Sequence, residues 1–169
     1  MFSKKERKKE NVRQHQYGVL ASGKSIKYLS TKGIWICTGW YGWDSKNEVA
    51  FLCHFDHPAS ALSVLRILKE VRKMVPEDHH FETTLIGGKG WFWSRWTRQC
   101  IKDLALGQTR LNVSINEEPF RNCFTDKVDV TIFPKTGIVS LKPIAKGNVP
   151  RKKNWFFGPV RKSKLMHNT

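Results

Sequence analysis

Three features of the sequence predict a mixed α/β fold, with a largely antiparallel, β-sandwich-like core flanked by two main helices. Short apolar runs separated by glycine and proline occupy both ends of the chain and are typical of strands joined by turns. Two segments between them repeat their apolar residues with the period of an α-helix. The order of strands, helix, strand, helix and strands favours a mixed sheet packed against helices. With 169 residues, 40% of them hydrophobic, the chain is long enough for one domain with its own core.

The N-terminal part of the domain is predicted to consist of strands. The run YGVLASGKSIKYLSTKGIWICTGW, residues 17–40, is broken by Gly23 and Gly33, where we expect tight turns. A further strand is predicted at residues 48–54, and the polar residues 44–47 predict the turn that leads into it.

The first helix is predicted between Pro58 and Pro76. Pro58 suits the first turn, Asp56 or His57 can cap it, and Pro76 ends it. Residues three or four positions apart form its expected buried face: Leu62, Leu65, Leu68 or Ile67, Val71, and Met74 or Val75.

The second helix is predicted in SRWTRQCIKDLALG, residues 94–107, with Ser94 as its N-cap and Gly107 at its end. Strands are expected on both sides of it. They are FETTLI (81–86), RLNVSI (110–115), KVDVTIF (127–133) and IVSLK (138–142), and residues 134–137 are expected to join the last two as a hairpin.

The net charge of +16 is concentrated at the two ends of the chain. Residues 1–16 carry six basic and two acidic side chains, and residues 146–169 carry seven basic and no acidic ones. We therefore divide the chain into a basic N-terminal tail (1–16), one domain (17–145) and a basic, aromatic C-terminal tail (146–169). Such tails are typical of solvated segments or of arms that bind nucleic acid, anionic membranes or acidic proteins. No apolar run is long enough to span a membrane or to act as a secretory signal, so we do not expect ordinary export.

Cys37 and His54 form the candidate chemical site. Cys37 lies near the end of one predicted strand, and His54 ends the next, 17 residues later. Because opposed residues of an antiparallel pair lie within about 5 Å, the two side chains can meet. A histidine beside a cysteine can generate a thiolate, the nucleophile of acyl chemistry. Thr31 precedes Cys37 by six residues, and a hydroxyl or carbonyl from its strand can hold the imidazole in the useful tautomer.

Structural interpretations of the same residues remain open at this point. A buried cysteine most often acts as a small hydrophobic residue, which we expect of Cys53, since alternation along the strand turns it away from His54. A zinc site formed by Cys37, Cys53, His54 and His57 is not expected, because the sequence offers no second ligand pair.

The stretch from Thr31 to Pro58 resembles the nucleophile region of CheD, the chemotaxis receptor glutamine deamidase. That region reads Thr-x-Gly-x-Gly-Ser-Cys, then apolar residues, an Asp, and a strand ending in His-x-x-x-Pro. The positions of this chain that match without a gap are Thr31, Gly33, Cys37, Asp44, His54 and Pro58. The similarity spans residues 17–142 and includes FETTLIGGKGWF and the closing VDVTIFPKTGIVSLK. The catalytic domain of cytotoxic necrotizing factor and Burkholderia lethal factor, bacterial toxins that deamidate host proteins, share this fold and Cys–His pair.

The resemblance implies a cysteine-dependent glutamine deamidase that acts on a protein carrying a reactive glutamine. It implies that Cys37 is the nucleophile, His54 the base and then the acid, and Thr31 the residue that orients His54. The residues expected to contact the substrate are Trp35, Ile36, Thr38, Gly87, Gly88 and Trp91. No metal or organic cofactor is expected, and transglutamination would proceed through the same thioester.

Two departures from the family pattern stand out. Trp35-Ile36 replaces the Gly-Ser before the nucleophile, and Val49-Ala50 replaces a Gly-Gly pair before the histidine strand. With the basic tails, these differences favour a toxin-like or effector-like relative over a chemotaxis protein. We expect a monomer, either in the bacterial cytoplasm or delivered into a host cell without a signal peptide.

The competing hypothesis is a binding module without catalytic activity on the same scaffold, whose basic ends contact nucleic acid or an anionic membrane. In GWFWSRW, residues 90–96, Trp91, Trp93 and Trp96 flank Arg95. Such residues can stack on bases, pack a strand against a helix, or hold a protein substrate.

Overall fold

The computed structural model describes residues 10–76, 80–88, 92–107, 112–117, 127–144 and 159–164. Within these ranges the chain is a mixed α/β structure with mostly antiparallel strands in two sheets and two α-helices. This agrees with the fold class expected from the sequence at that level of detail. None of the helices in the described ranges is long and apolar enough to cross a membrane.

The elements follow the predicted order. The strands are β1 (Gln16–Ala21), β2 (Leu29–Ile34), β3 (Thr38–Asp44), β4 (Val49–Phe55), β5 (His80–Gly87), β6 (Asn112–Glu117), β7 (Lys127–Ile132), β8 (Val139–Ile144) and β9 (Arg161–Lys162). A 3₁₀ helix (Pro58–Ser63) leads directly into α1 (Val64–Arg72), and α2 (Phe92–Leu106) lies between β5 and β6.

The larger sheet has the strand order β6-β5-β3-β4-β1-β9, and the smaller has the order β2-β7-β8. The β5–β6 and β1–β9 pairs are parallel, whereas the other pairs are antiparallel. The hairpin predicted around residues 134–137 joins β7 to β8, and the turn predicted at residues 44–47 joins β3 to β4.

The larger sheet lies between two apolar clusters because both of its faces are covered. Alternation along β4 shows this, since Phe51, Cys53 and Phe55 belong to the cluster under the helices. Ala50 and Leu52 belong to the cluster shared with the smaller sheet. Continuous apolar runs such as those of β4 are typical of a strand that is buried on both faces.

The buried face of the first helix agrees with the prediction at Ile67, Leu68, Val71 and Val75 and differs from it at Leu62 and Leu65. Val64, Ile67, Leu68, Val71 and Val75 are buried, whereas Leu62, Leu65 and Met74 are 66%, 42% and 40% exposed. The 3₁₀ turn explains part of the difference, because it rotates about 120° per residue and shifts the phase counted back from the α-helix. The helix also ends at Arg72, before Pro76.

The second helix begins earlier than predicted, at Phe92, so Ser94 lies inside its first turn and is not the N-cap. Its end at Leu106, just before Gly107, agrees with the prediction. Gly33 was expected in a turn but lies within β2, where its φ of 66° accompanies a shift in the β2–β7 pairing. This β-bulge bends the strand just before Trp35.

Parts of both predicted tails belong to the folded structure. In the N-terminal segment, Asn11 and Val12 are buried. In the C-terminal segment, Val160 is fully buried under the helices and β9 pairs with β1. Residues 1–9 and 145–158, which carry most of the predicted tail charge, lie outside the described ranges.

Candidate active site

The candidate nucleophile lies in a short bend, residues 35–37, that links the smaller sheet to the larger one. Ile34 ends β2, Thr38 begins β3, and Cys37 is partly exposed between them. The sequence placed Cys37 at a strand end, and the structure places it one residue outside the strand. A strand that crosses from one sheet to the other leaves its connecting residues out of both ladders.

The end of β5 and the start of α2 hold this bend in place. The Gly88 amide donates to the Trp35 carbonyl at 3.2 Å, and the Ser94 hydroxyl donates to the Ile36 carbonyl at 2.6 Å. Arg98 donates in turn to the Gly87 carbonyl.

The two glycines allow a close approach that side chains would block. Gly87 and Gly88 have φ values of 74° and 67°, in the left-handed region that favours glycine. A Cβ on Gly87 would lie 2.6 Å from the Cys37 carbonyl oxygen, and one on Gly88 would lie 2.2 Å from Thr38 Oγ1. The Gly-Gly end of β5 therefore fixes the backbone that carries the cysteine.

The structure brings Thr31 and His54 together. Thr31 Oγ1 lies 2.9 Å from His54 Nδ1, and the two residues are 0% and 3% exposed. Thr31 extends from β2 of the smaller sheet and His54 from β4 of the larger, so the contact bridges the two layers. His54 Nε2 is buried and has no hydrogen-bond partner among the described residues. A threonine on Nδ1 restrains the orientation of the ring and leaves Nε2 available for another partner.

Cys37 and His54 are not directly opposed as expected. The residue paired with His54 is Gly39, two positions after Cys37. Cys37 is therefore a diagonal neighbour of His54, a relation that in a regular antiparallel ladder corresponds to about 7–8 Å. Because His54 Nε2 has no hydrogen-bond partner among the described residues, the thiol and the imidazole are not hydrogen-bonded in this resting structure.

A further group of polar residues beside Cys37 was missed by the sequence reasoning. Gln14 Nε2 lies 2.6 Å from Asp56 Oδ2 and 3.8 Å from Cys37 Sγ. His15 Nε2 lies 2.8 Å from the same Asp56 oxygen, and the His15 amide donates to the His54 carbonyl at 3.1 Å. The N-terminal segment therefore forms one wall of the site. Its glutamine and histidine had been assigned to a solvated tail, and no local pattern marks them.

The electrostatics keep the resting site largely uncharged. Burial, reinforced by the nearby Asp56 carboxylate, raises the pKa of the Cys37 thiol to about 12. Burial, with His15 as a lesser cause, lowers the pKa of His54 to about 4. Burial also raises the pKa of Asp56 to about 7, against the lowering effect of the Gln14 hydrogen bond. At neutral pH the Cys37 thiol is therefore protonated, and the His54 imidazole is neutral and able to accept a proton.

The residues expected to contact a substrate have different environments. Trp35 and Ile36 are partly exposed in the bend, and the Lys127 ammonium lies 5.6 Å from the centre of the Trp35 ring. Thr38, Gly87 and Gly88 are buried and pack against the bend, so in this structure they support it from behind. Trp91 lies outside the described residues.

The structure also describes two of the other cysteines and the residues of the hypothetical zinc site. Cys53 is fully buried in the cluster under the helices, as expected for a core residue. Cys37, Cys53 and Cys100 are free thiols. Among the residues that the structure describes, no three His, Cys, Asp or Glu side chains are arranged to hold a metal ion.

Comparisons with known proteins assign no family to the chain, so a proposed function must be argued from the residues of the site. No protein-family model matches the chain, and a search of curated proteins finds no match.

Proposed function

We propose that this protein is a cysteine-dependent protein glutamine deamidase, a divergent relative of the CheD-like enzymes, with Cys37, His54 and Thr31 as its reacting and orienting residues. The observation that carries the proposal is the buried 2.9 Å contact of Thr31 Oγ1 with His54 Nδ1, which leaves His54 Nε2 unpaired. Buried polar atoms nearly always have partners, so a buried imidazole nitrogen without one is unusual for a purely structural histidine. The partly exposed Cys37 lies two positions before Gly39, the residue paired with His54.

The chemistry begins with attack of Cys37 on the side-chain amide of a substrate glutamine. His54 Nε2 takes the thiol proton as the sulfur–carbon bond forms, and the carbonyl π electrons move to the oxygen. When the tetrahedral intermediate collapses, the carbon–nitrogen bond breaks and ammonia leaves with the proton from His54. Water, deprotonated by the same imidazole, then cleaves the thioester to give glutamate and the free thiol.

The resting pKa values decide when the proton moves. Because the pKa of Cys37 is about 12 and that of His54 about 4, a thiolate–imidazolium pair is unfavourable before the substrate binds. The proton transfer must therefore accompany attack, with Sγ and Nε2 brought within hydrogen-bond reach in the substrate complex. His54 then acts as a general base on a neutral thiol.

The fold adds support to the same proposal. The structure contains a Gly-Gly end on β5, a helical segment after Pro58 and a β7–β8 hairpin, which are elements that the resemblance implies. A toxin-like or effector-like role, in the bacterial cytoplasm or in a host cell, is part of the proposal and rests on the departures at Trp35-Ile36 and on the basic charge.

The test is to incubate the protein with a soluble bacterial extract and, separately, with a eukaryotic cell extract. Glutamine-to-glutamate conversion is then sought by peptide mass spectrometry as a gain of about one dalton. Cys37→Ser and His54→Ala are expected to abolish the conversion. Cys100→Ser is the matched control, because Cys100 is also a partly exposed free thiol but lies on α2. Conversion that persists in Cys37→Ser would refute the assignment.

The binding-module hypothesis is favoured by a different observation. Phe92, Trp93 and Trp96 are 68%, 50% and 48% exposed at the start of α2, and the rings of Trp93 and Trp96 stack at 5.6 Å. Exposed aromatic side chains on a basic protein can stack on single-stranded nucleic acid bases. Titration with a labelled oligonucleotide at rising salt tests this, because phosphate contacts weaken steeply with salt. Binding that Trp93→Ala removes and Cys37→Ser leaves intact would favour the module.

A further inference from the structure

Gln14 is the polar side chain closest to the candidate nucleophile for which the family resemblance provides no role. It lies outside the stretch of similarity, in the segment that the sequence assigned to a tail. Its side-chain amide nitrogen lies 3.8 Å from Cys37 Sγ and 2.6 Å from Asp56 Oδ2. A glutamine amide nitrogen carries two N–H groups, so one can remain on Asp56 while the other faces the sulfur.

We propose that Gln14 is a catalytic residue whose side-chain N–H stabilises the oxyanion formed when Cys37 attacks the substrate amide. This inference rests on the proposed deamidase function. The oxygen of a tetrahedral intermediate lies about 2.7 Å from the attacking sulfur, and an effective donor lies about 2.7–3.1 Å from that oxygen. The Gln14 nitrogen lies 3.8 Å from the sulfur, so an oxygen that forms a triangle with these two atoms can meet both distances.

Asp56 acts as the positioning residue for this donor. Its Oδ2 accepts from the Gln14 amide and lies 2.8 Å from His15 Nε2, which restrains the glutamine side chain. Without that anchor, an exposed glutamine side chain would populate several rotamers, and the ordering would oppose catalysis. A donor that is already oriented needs no reorganisation when the charge develops.

The sequence of the bend explains why a side-chain donor is needed. Trp35-Ile36 stands where the family has Gly-Ser, and the Trp35 and Ile36 carbonyls are already held by Gly88 and Ser94. These hydrogen bonds restrain the backbone of the bulky pair against readjustment around a substrate oxygen. The Gln14 amide comes from a separate segment, 23 residues before Cys37.

The experiment uses the full chain and the substrate glutamine that the wild type converts most in the extract assay. The variants are Gln14→Ala, which removes the donor, and Gln14→Glu, which keeps the size but can only accept. Gln99→Ala is the matched control, since Gln99 is also an exposed glutamine whose Nε2 donates to a carboxylate, Asp103 Oδ1, at 2.8 Å. The second readout is the rate of Cys37 alkylation by iodoacetamide, a displacement that forms no oxyanion.

We expect both Gln14 variants to lower kcat by about 10²–10³-fold with KM changed by less than about threefold, and Gln99→Ala to match the wild type. Alkylation of Cys37 should proceed in Gln14→Ala within about threefold of the wild-type rate, which excludes loss of the thiol or of the fold. Wild-type kcat in Gln14→Ala, with Cys37→Ser inactive, would overturn the role of Gln14 and leave the deamidase proposal standing. A parallel loss of kcat and alkylation would assign Gln14 a structural role and also overturn the inference. If the wild type converts no glutamine in either extract, the inference falls together with the proposed function.

Discussion

Replacing Thr31 with valine tests the central contact of the site, because valine keeps the shape of threonine and removes only the hydroxyl. In the wild type Thr31 Oγ1 is the partner of His54 Nδ1 at 2.9 Å, and both residues are almost completely buried. The variant leaves Nδ1 without a partner next to an Nε2 that already has none. An unsatisfied buried polar group costs about 1–3 kcal/mol. For a chain of 169 residues this corresponds to a fall in Tm of about 2–12 °C.

The matched control is Thr131→Val. Thr131 is also buried in the smaller sheet, and its hydroxyl lies 3.1 Å from Ser30 Oγ, so its loss removes a comparable hydrogen bond away from His54. Thermal unfolding is measured for both variants, and ¹⁵N NMR of the imidazole reports the tautomer of His54. Both variants should lose stability, but only Thr31→Val should change the His54 tautomer and lower the glutamine conversion, by about 10–100-fold. An unchanged tautomer with full activity in Thr31→Val would refute the orienting role.

Three other changes probe the surroundings of the site. Lowering the pH from 7 to 4 should reduce the free energy of unfolding of the wild type by about 3 kcal/mol more than that of His54→Gln, because the pKa of His54 is about 6.5 in the unfolded chain and about 4 in the folded one. Denaturant titrations at both pH values measure this, and equal losses in the two proteins would contradict it. Asp56→Ala should speed alkylation of Cys37 at pH 9 by about 3–10-fold, because it removes a charge that raises the thiol pKa. It should still lower kcat, because Gln14 loses the oxygen that accepts from its amide, and an unchanged pH–rate profile would exclude the electrostatic effect. Gly87→Ala should destabilise the protein by about 1–3 kcal/mol more than Gly23→Ala, since both glycines have positive φ but only a Cβ on Gly87 would meet backbone atoms. Calorimetry of the two variants measures the difference in stability, and equal losses would mean that the clash is relieved without cost.

Local patterns determined most of the fold that the sequence could predict. Alternating apolar runs gave the strands, and residues 44–47 and 134–137 gave the turns that close the β3–β4 and β7–β8 hairpins. The start of the helix face was harder, because only the packing of the sheet selects Val64 over Leu62 and Leu65, whereas Ile67 and Val71 were predicted correctly. The spacing of apolar residues does not show where a 3₁₀ turn occurs, and such a turn changes the direction in which the side chains before the α-helix point.

The candidate site was predictable where its residues lie on recognisable strands and unpredictable where they lie in a segment without a strand pattern. Thr31 and His54 lie on strands whose order the sequence already suggested, and the structure brings them together. The partners that the sequence missed, Gln14 and His15, are not farther away along the chain, since Gln14 and Cys37 are 23 positions apart, as are Thr31 and His54. Their charge-rich context resembles a solvated tail, and nothing local indicates that Asn11 and Val12 anchor that segment in the core.

The unpaired atoms around Cys37 link the stability of this region to its chemistry. His54 Nε2, Thr38 Oγ1 and Asp56 Oδ1 are buried and have no hydrogen-bond partner among the described residues. Each such atom costs about 1–3 kcal/mol, and apolar side chains of similar size would remove that cost. Thr38 directly follows Cys37 in the chain. His54 and Asp56 lie on either side of Phe55, the residue of β4 that pairs with Thr38. Of these, His54 Nε2 and Asp56 Oδ1 are the groups expected of a site completed by its substrate, because a carboxamide supplies both donors and an acceptor, whereas Thr38 lies behind the bend. The cost of an unpaired oxygen predicts that Thr38→Val should raise the free energy of unfolding by about 1 kcal/mol, measured by chemical denaturation, whereas Thr31→Val should lower it. A loss of stability in Thr38→Val would mean that the Thr38 hydroxyl already has a hydrogen-bond partner in the free protein.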